Sequence, residues 1–371
     1  MDKQLLDLYT DYLLASFGAT TATGLARLMD GTVSHDQITR FLAKRQFTSA
    51  DLWLLVKPTL RQLQHPDGVL IIDDTIGEKP YTDESELICW HFAHSKDRTV
   101  KGINFLSTLY AVNDVVLPVA VALVTKPETV IDKKSGKEKK KSAVSKNQHY
   151  RSMLRACVKN QIPFRYVLND IWFAAADNMK LIKNELHKDF VMPLKSNRKV
   201  ALSRDEQQQG RYQAVGTLGL EPGAVREVWL EGVDFPLVLA KQVFTNGDGS
   251  TGTLYLVSSD TTLDFGQITA LYQTRWKVEE YHKSLKSNLA LANSPTRTTV
   301  TQTNHLFCSL FAFVKLELLR VKTTTNHFAL KTKLYLVKLT RFRGQAMIGA
   351  KGEHSAKISS TLSTGVPAAD R

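Results

Sequence analysis

Three acidic side chains have settings suited to chemistry. Val69-Leu70-Ile71-Ile72 is an unbroken apolar run, expected as a buried strand, and it ends in Asp73-Asp74-Thr75. Phe164 to Leu168 is expected as a second buried strand, ending at Asn169-Asp170. The third, Glu279, falls in a long helix expected from about Phe265 to Leu289. At about 100° per residue, Tyr272, Arg275, Glu279 and Lys286 share one helical stripe roughly 60° wide. Leu271, Val278, Leu285 and Leu289 fall immediately beside it, so the apolar edge packs on the sheet and the polar row lines the rim. The plainer reading of Arg275 and Glu279 is an i,i+4 ion pair worth a few tenths of a kcal/mol on a surface helix. A mixed-charge row bordering the core favours chemistry instead. Carboxylates gathered without a cation would repel one another, so convergence of the three would itself imply a cation site. Mg²⁺ prefers carboxylate oxygens and keeps several waters, so three acidic side chains suffice.

Asp73 and Asp74 are alternatives for the first position, because neighbouring strand residues point to opposite faces. Lys195-Ser196-Asn197-Arg198, after a strand at Phe190, is a candidate phosphate-binding turn, with an ordinary charged turn as the alternative. The ten histidines show no paired metal spacing, and no phosphate-cradling glycine loop of a nucleotide-driven enzyme is present.

The elements that must position these residues fall into five segments. Residues 1–65 read as four helices: apolar spacing from Leu5 to Leu13, then Thr21 to Met29, a helix opened by the capping box Ser34-His35-Asp36-Gln37, and Ser49 to Leu63. Two of them, joined by a Gly-containing turn, are a candidate DNA-reading helix-turn-helix, with a plain helical bundle as the alternative. Residues 66–189 supply the strand at Val69, strands at Ile103 to Tyr110 and Val115 to Val124 about the turn Asn113-Asp114, and a helix from Tyr150 to Asn160. Within this segment, Lys133 to Lys146 holds seven lysines and is expected as a loop. Residues 190–262 turn to β, with a strong turn at Asn246-Gly247-Asp248-Gly249, and are expected as a β-rich insertion. Residues 263–290 carry the Glu279 helix, and 291–371 are helical and basic. Strand–helix–strand order makes this an α/β chain with a mixed sheet.

A net charge of +13 is unevenly spread: Leu271 to Arg371 holds 16 Lys and Arg against 5 Asp and Glu. That asymmetry points to a polyanion, since basic surfaces gain affinity by releasing counterions from phosphates. The C-terminal region, with Lys286 and Arg297, is the expected DNA-binding face. Three well-separated cysteines without C-x-x-C spacing argue against a disulfide scaffold or zinc site and fit a reducing cytoplasm. No window is apolar enough for a membrane helix, and the N-terminus lacks the features of a signal peptide.

Tyr272-x2-Arg275-x3-Glu279-x6-Lys286 resembles, without a gap, the signature of a large family of bacterial insertion-sequence transposases of the DDE class. The string from Arg275 to Lys283 is similar to the wording of that family. Asp73-Asp74-Thr75 looks like its first motif and Asn169-Asp170-Ile171-Trp172-Phe173 like its second, so the resemblance covers roughly residues 65 to 290. It implies a ribonuclease-H-like catalytic core that binds two Mg²⁺ ions (Mn²⁺ substituting) through Asp73, Asp170 and Glu279. Two metals clamp the attacking and leaving oxygens of a phosphodiester displacement. It further implies DNA contacts from Tyr272, Arg275 and Lys286, a homodimer on double-stranded inverted-repeat ends, cut-and-paste chemistry through a hairpin, and nucleoid association in a bacterial cytoplasm. Relatives stack a flipped base on an aromatic of the β-rich segment; here Tyr255 and Trp229 are the candidates, with core packing as the alternative. Trp172 and Phe173 read as core residues. The runner-up activities are a nuclease that only hydrolyses DNA and a transposase-derived DNA-binding regulator.

Overall fold

A computed structural model describes residues 2–131 and 136–336. Four helices open it, α1 (Lys3–Ala15), α2 (Ala22–Leu28), α3 (His35–Ala43) and α4 (Ser49–Leu63). Ser34 and Gln37 form the expected reciprocal cap at the start of α3. Strands β1 (Val69–Glu78), β2 (Cys89–Ala93), β3 (Arg98–Val112) and β4 (Val115–Leu123) follow. A small hairpin, β5 (Glu128–Ile131) and β6 (Glu138–Lys141), leads to α5 (Lys146–Lys159) and β7 (Tyr166–Asn169). Then come α6 (Ala176–Lys180), β8 (Asp189–Leu194), β9 (Lys199–Ala201), α7 (Arg204–Gln208), β10 (Gln213–Ala214), β11 (Val225–Leu230), β12 (Leu237–Thr245) and β13 (Thr251–Ser258). Helices α8 (Phe265–Gln273), α9 (Lys277–Asn288) and α10 (Thr299–Thr323) complete the set.

β1, β3 and β4 form an antiparallel meander, and β7 and β8 add to the free edge of β1 in parallel. This mixed α/β arrangement is consistent with the ribonuclease-H-like fold expected from the sequence. Val69–Ile72 of β1 and Tyr166–Leu168 of β7 are apolar without alternation because these positions are covered on both faces. At 15 residues, β3 is long enough to pair with β2 along its first five residues and with β4 along its last eight. No helix among the described residues is long and apolar enough to cross a membrane.

Residues 190–262 are β-rich, as expected, and β13, β12, β11, β9 and β10 continue one 11-stranded sheet beyond β8. Edge pairing satisfies the backbone groups that β8 would otherwise leave open. Three other expectations need correction. The lysine-rich stretch is not all loop, since Glu138–Lys141 pairs with Glu128–Ile131 and Lys146 already begins α5; 132–135 lie outside the described residues. The Glu279 helix is two helices joined by a tighter 3-10 turn at Thr274–Trp276. Finally, α10 is no basic surface: Thr301 to Phe313 is buried on every side. Its Asn304 receives the Phe47 amide at 2.7 Å and donates to the Leu42 and Arg45 carbonyls, and His305 Nδ1 meets the Tyr9 hydroxyl at 3.0 Å. These bonds fasten the N-terminal helices around α10 as a bundle. Arg297 is exposed, and the basic stretch of 337–371 lies outside the described residues.

Candidate active site

The parallel register of β1 and β7 ends at Ile72↔Asn169, so Asp73 and Asp170 each stand one residue further, side by side where the two strands part. Neighbouring strands run about 4.8 Å apart, which places the two carboxylates on adjacent tracks. β1 itself continues to Glu78 against β3, so Asp73 lies at the end of the parallel pairing and not of the strand. Asp73 pairs with Ser107, and Ser107 Oγ hydrogen-bonds the Tyr281 hydroxyl of α9 at 3.0 Å. Asp73 therefore faces α9. Asp74 points to the opposite face, where its carboxylate accepts from Asn104 Nδ2 at 2.9 Å and from Lys146 Nζ of α5 at 2.7 Å.

Glu279 reaches Asp73 through the Arg275 guanidinium. Arg275 Nη1 lies 3.6 Å from Asp73 Oδ2 and 3.4 Å from Glu279 Oε1, with its guanidinium 5.7 Å from the Tyr272 ring centroid. Both separations exceed the 2.7–2.9 Å of a tight charge-assisted bond. Burial, then the neighbouring Asp170 and Asp74 charges, push the Asp73 carboxyl up to about 8, and the Asp74 amide and Arg275 only partly oppose this. Asp170 is raised too, by burial and by Asp74, although its Oδ1 accepts the Trp172 amide at 3.0 Å. Burial pushes the Tyr272 hydroxyl up to about 12, and burial lowers the Lys286 ammonium, which feels Glu78, Glu279 and Asp73.

Among the described residues, no three His, Cys, Asp or Glu side chains are gathered closely enough to hold a metal ion. What the structure brings together is the pair Asp73 and Asp170, with Arg275 between Asp73 and the half-exposed Glu279. Oxygen donors that are buried and mutually repelling suit a hard divalent cation, and the guanidinium supplies positive charge at that place.

The other expected residues are dispersed along the sheet. Lys195 and Arg198 follow the end of β8, the strand parallel to β7, and so lie at the same sheet end as Asp170. Lys195 is exposed, and Arg198 Nη1 donates to the Ala174 carbonyl at 3.0 Å. Tyr255, on β13, lies two strands from β7 and packs partly against the core. Trp229, on β11, lies four strands away, half-buried beneath Arg204. Phe173 is buried and stacks on Tyr150, as expected of a core residue. Trp172 is not in the core: it is 50% exposed, because the 3-10 turn after Asp170 swings it outward. The motif reading missed Asn104 and Lys146, which hold Asp74, and His94, whose ring lies 5.3 Å from Trp172 and 4.9 Å from Phe92. Only the alternation Cys-Trp-His-Phe-Ala signals β2, which carries Trp90 and Phe92 and leads into His94.

Aspartates side by side where parallel strands of a mixed sheet part, one of them linked through Arg275 to a helix-borne carboxylate, are an arrangement suited to chemistry on phosphodiesters. The chain belongs to the DDE superfamily endonucleases: that family's profile matches residues 2–222, more than half of the 371. Members use divalent metal ions, generally Mg²⁺, and the family implies a DNA substrate and a nuclease or transposase activity. The match spans Asp73 and Asp170 and stops before α8, so Glu279 lies beyond it. No curated protein matches the chain.

Proposed function

We propose that this protein is a DNA transposase that cleaves and rejoins strands at the inverted-repeat ends of an insertion sequence. The observation that carries the reading is the Asp73–Asp170 pair: two carboxyls at the parting of parallel strands, one pushed up to about 8 by burial and by the neighbouring carboxylate charges. Asp73, Asp170 and Glu279 would hold two Mg²⁺ ions, with Mn²⁺ able to substitute. When bound, the ions supply Lewis acidity at the attacking and leaving oxygens of the phosphodiester. Asp73 is preferred to Asp74 because it faces α9, whereas Asp74 is already paired with Lys146. Arg275, Tyr272 and Lys286 bind the terminal phosphates, Arg275 by its fork of donors, and Lys195 and Arg198 extend that contact along the sheet end. Strand transfer exchanges one phosphodiester for another, so it needs no nucleotide. A homodimer would hold the two ends together.

The reading is tested by incubating end-bearing plasmid with Mg²⁺ and scoring nicking and strand transfer separately. Glu279→Gln should abolish both while leaving end binding nearly intact. Arg275→Ala should weaken end binding by about 1–3 kcal/mol, as expected of a charge-assisted contact. Near-normal nicking by Glu279→Gln would overturn the assignment of α9. Nicking without strand transfer would make the protein a hydrolytic nuclease, and end binding without nicking would make it a regulator.

A further inference from the structure

An uncovered row of aromatic rings approaches the carboxylates from the edge of the sheet. Alternation along β2 turns Cys89 and His91 inward, where Cys89 Sγ and His91 Nε2 meet at 3.2 Å, and turns Trp90 and Phe92 outward. Trp90 pairs with Lys101 and Phe92 with Thr99, while Ser107 further along β3 pairs with Asp73. Lys101 and Ser107 are an even number of residues apart, so Trp90 and Phe92 share the sheet face of Asp73. The row continues off the strand: the Phe92 ring lies 4.9 Å from His94, and His94 lies 5.3 Å from Trp172. Trp172 donates its amide to Asp170, so the far end of the row is tied to the site.

Trp90 is 51% exposed, Phe92 49% and Trp172 50%. Clustered apolar rings at this exposure mark a contact surface. Cations border them. Lys101 Nζ sits 5.9 Å over the Trp90 ring, Lys126 Nζ donates to the Trp90 carbonyl at 2.6 Å, and Lys96 neutralises Glu78. Aromatic faces interleaved with lysines suit a nucleic-acid strand whose bases are unpaired. In a duplex the base faces are already stacked on one another, so phosphate contacts alone would require the lysines and not the rings.

We propose that Trp90, Phe92, His94 and Trp172 form a stacking platform for the unpaired bases of a DNA strand end beside Asp73 and Asp170. This rests on the reading of the protein as an enzyme that opens DNA ends. The platform holds a displaced strand away from the carboxylates while Lys101 and Lys126 meet its phosphates.

The test compares two probes with the full-length protein, without divalent metal: a blunt duplex of about 24 base pairs and the same duplex with a tail of about six thymines. The tail should raise affinity by about tenfold and quench tryptophan fluorescence. Trp172→Ala and Phe92→Ala should each lower the tailed-to-blunt ratio severalfold, and Trp172→Phe should retain most of it, which a purely structural role would not do. The proposal is overturned if wild-type protein binds both probes equally, or if the ratio survives both alanine variants. It is equally overturned if those variants change only self-association, which would make the row a contact between copies. Nicking in Mg²⁺ is scored in parallel. Tail preference without nicking upholds the platform and sinks the transposase reading, whereas nicking without tail preference sinks the platform alone.

Discussion

Asp73 concentrates the electrostatic cost of the site. Its carboxyl is pushed up to about 8 when folded, against about 3.9 in an unfolded chain. Below pH 4 both states carry the proton and nothing is lost. As pH rises towards 8 the unfolded chain releases its proton while the folded one must retain it, so this residue's contribution to stability falls across that window. Asn has no such proton, so Asp73→Asn should melt higher than the native chain in metal-free buffer, by a few degrees at pH 8 and by little at pH 4. Equal melting at both values would show that Arg275 already compensates the charge. The expectation follows a general pattern, in which an active site gives up stability for function.

Among the elements, the β1–β3 pair determines where Asp73 points, and its outer end depends on close backbone approach. Gly102 stands opposite both Glu78 of β1 and Cys89 of β2, and a Cβ there would collide with the Gly77 carbonyl oxygen and crowd the Glu78 Cα. Backbone cannot yield as a flexible side chain does. Gly102→Ala should therefore cost about 1–3 kcal/mol, as overpacking usually does, and lower the midpoint of denaturant unfolding. An unchanged midpoint would mean that β2 swings away freely at no cost. The helices obey the same logic of local cause and distant consequence. The stripe geometry from Tyr272 to Lys286 survives the 3-10 turn, and Val278, Leu285 and Leu289 are fully buried beside it, as their spacing predicts.

Across the whole molecule, α10 ties the first helices and the sheet into one body, and Glu317 is its polar anchor. Burial alone would raise this carboxyl. Hydrogen bonds from His327, Arg320 and the Val116 amide outweigh burial and bring it to about 2. Arg320 also pairs with Asp114 in the β3–β4 turn at 2.6 Å. A depressed carboxyl stabilises above its unfolded value near 4.3, and that contribution is lost as pH falls towards 2. Glu317→Gln should accordingly cost up to about 3 kcal/mol at pH 7, with the gap closing between pH 5 and 2 in thermal melts. A deficit independent of pH would assign the residue a packing role only.

Much of this was legible from the chain alone, because it depends on near neighbours. Apolar runs mark β1 and β7, the Ser34–Gln37 cap starts α3, and helical spacing aligns Glu279 with Arg275. Alternation alone separates Asp73 from Asp74, but which of them meets α9 and which meets Lys146 depends on helices contributed by residues 72 to over 200 positions away. Distant packing likewise decided that Arg275 stands between two carboxylates, that Trp172 faces outward, that β13 to β10 extend the sheet of β1, and that α10 is core. Backbone hydrogen bonding and side-chain periodicity are short-range and leave their mark on the string of residues. Burial is proportional to area covered, whatever covers it, so its pattern exists only once the distant elements have met.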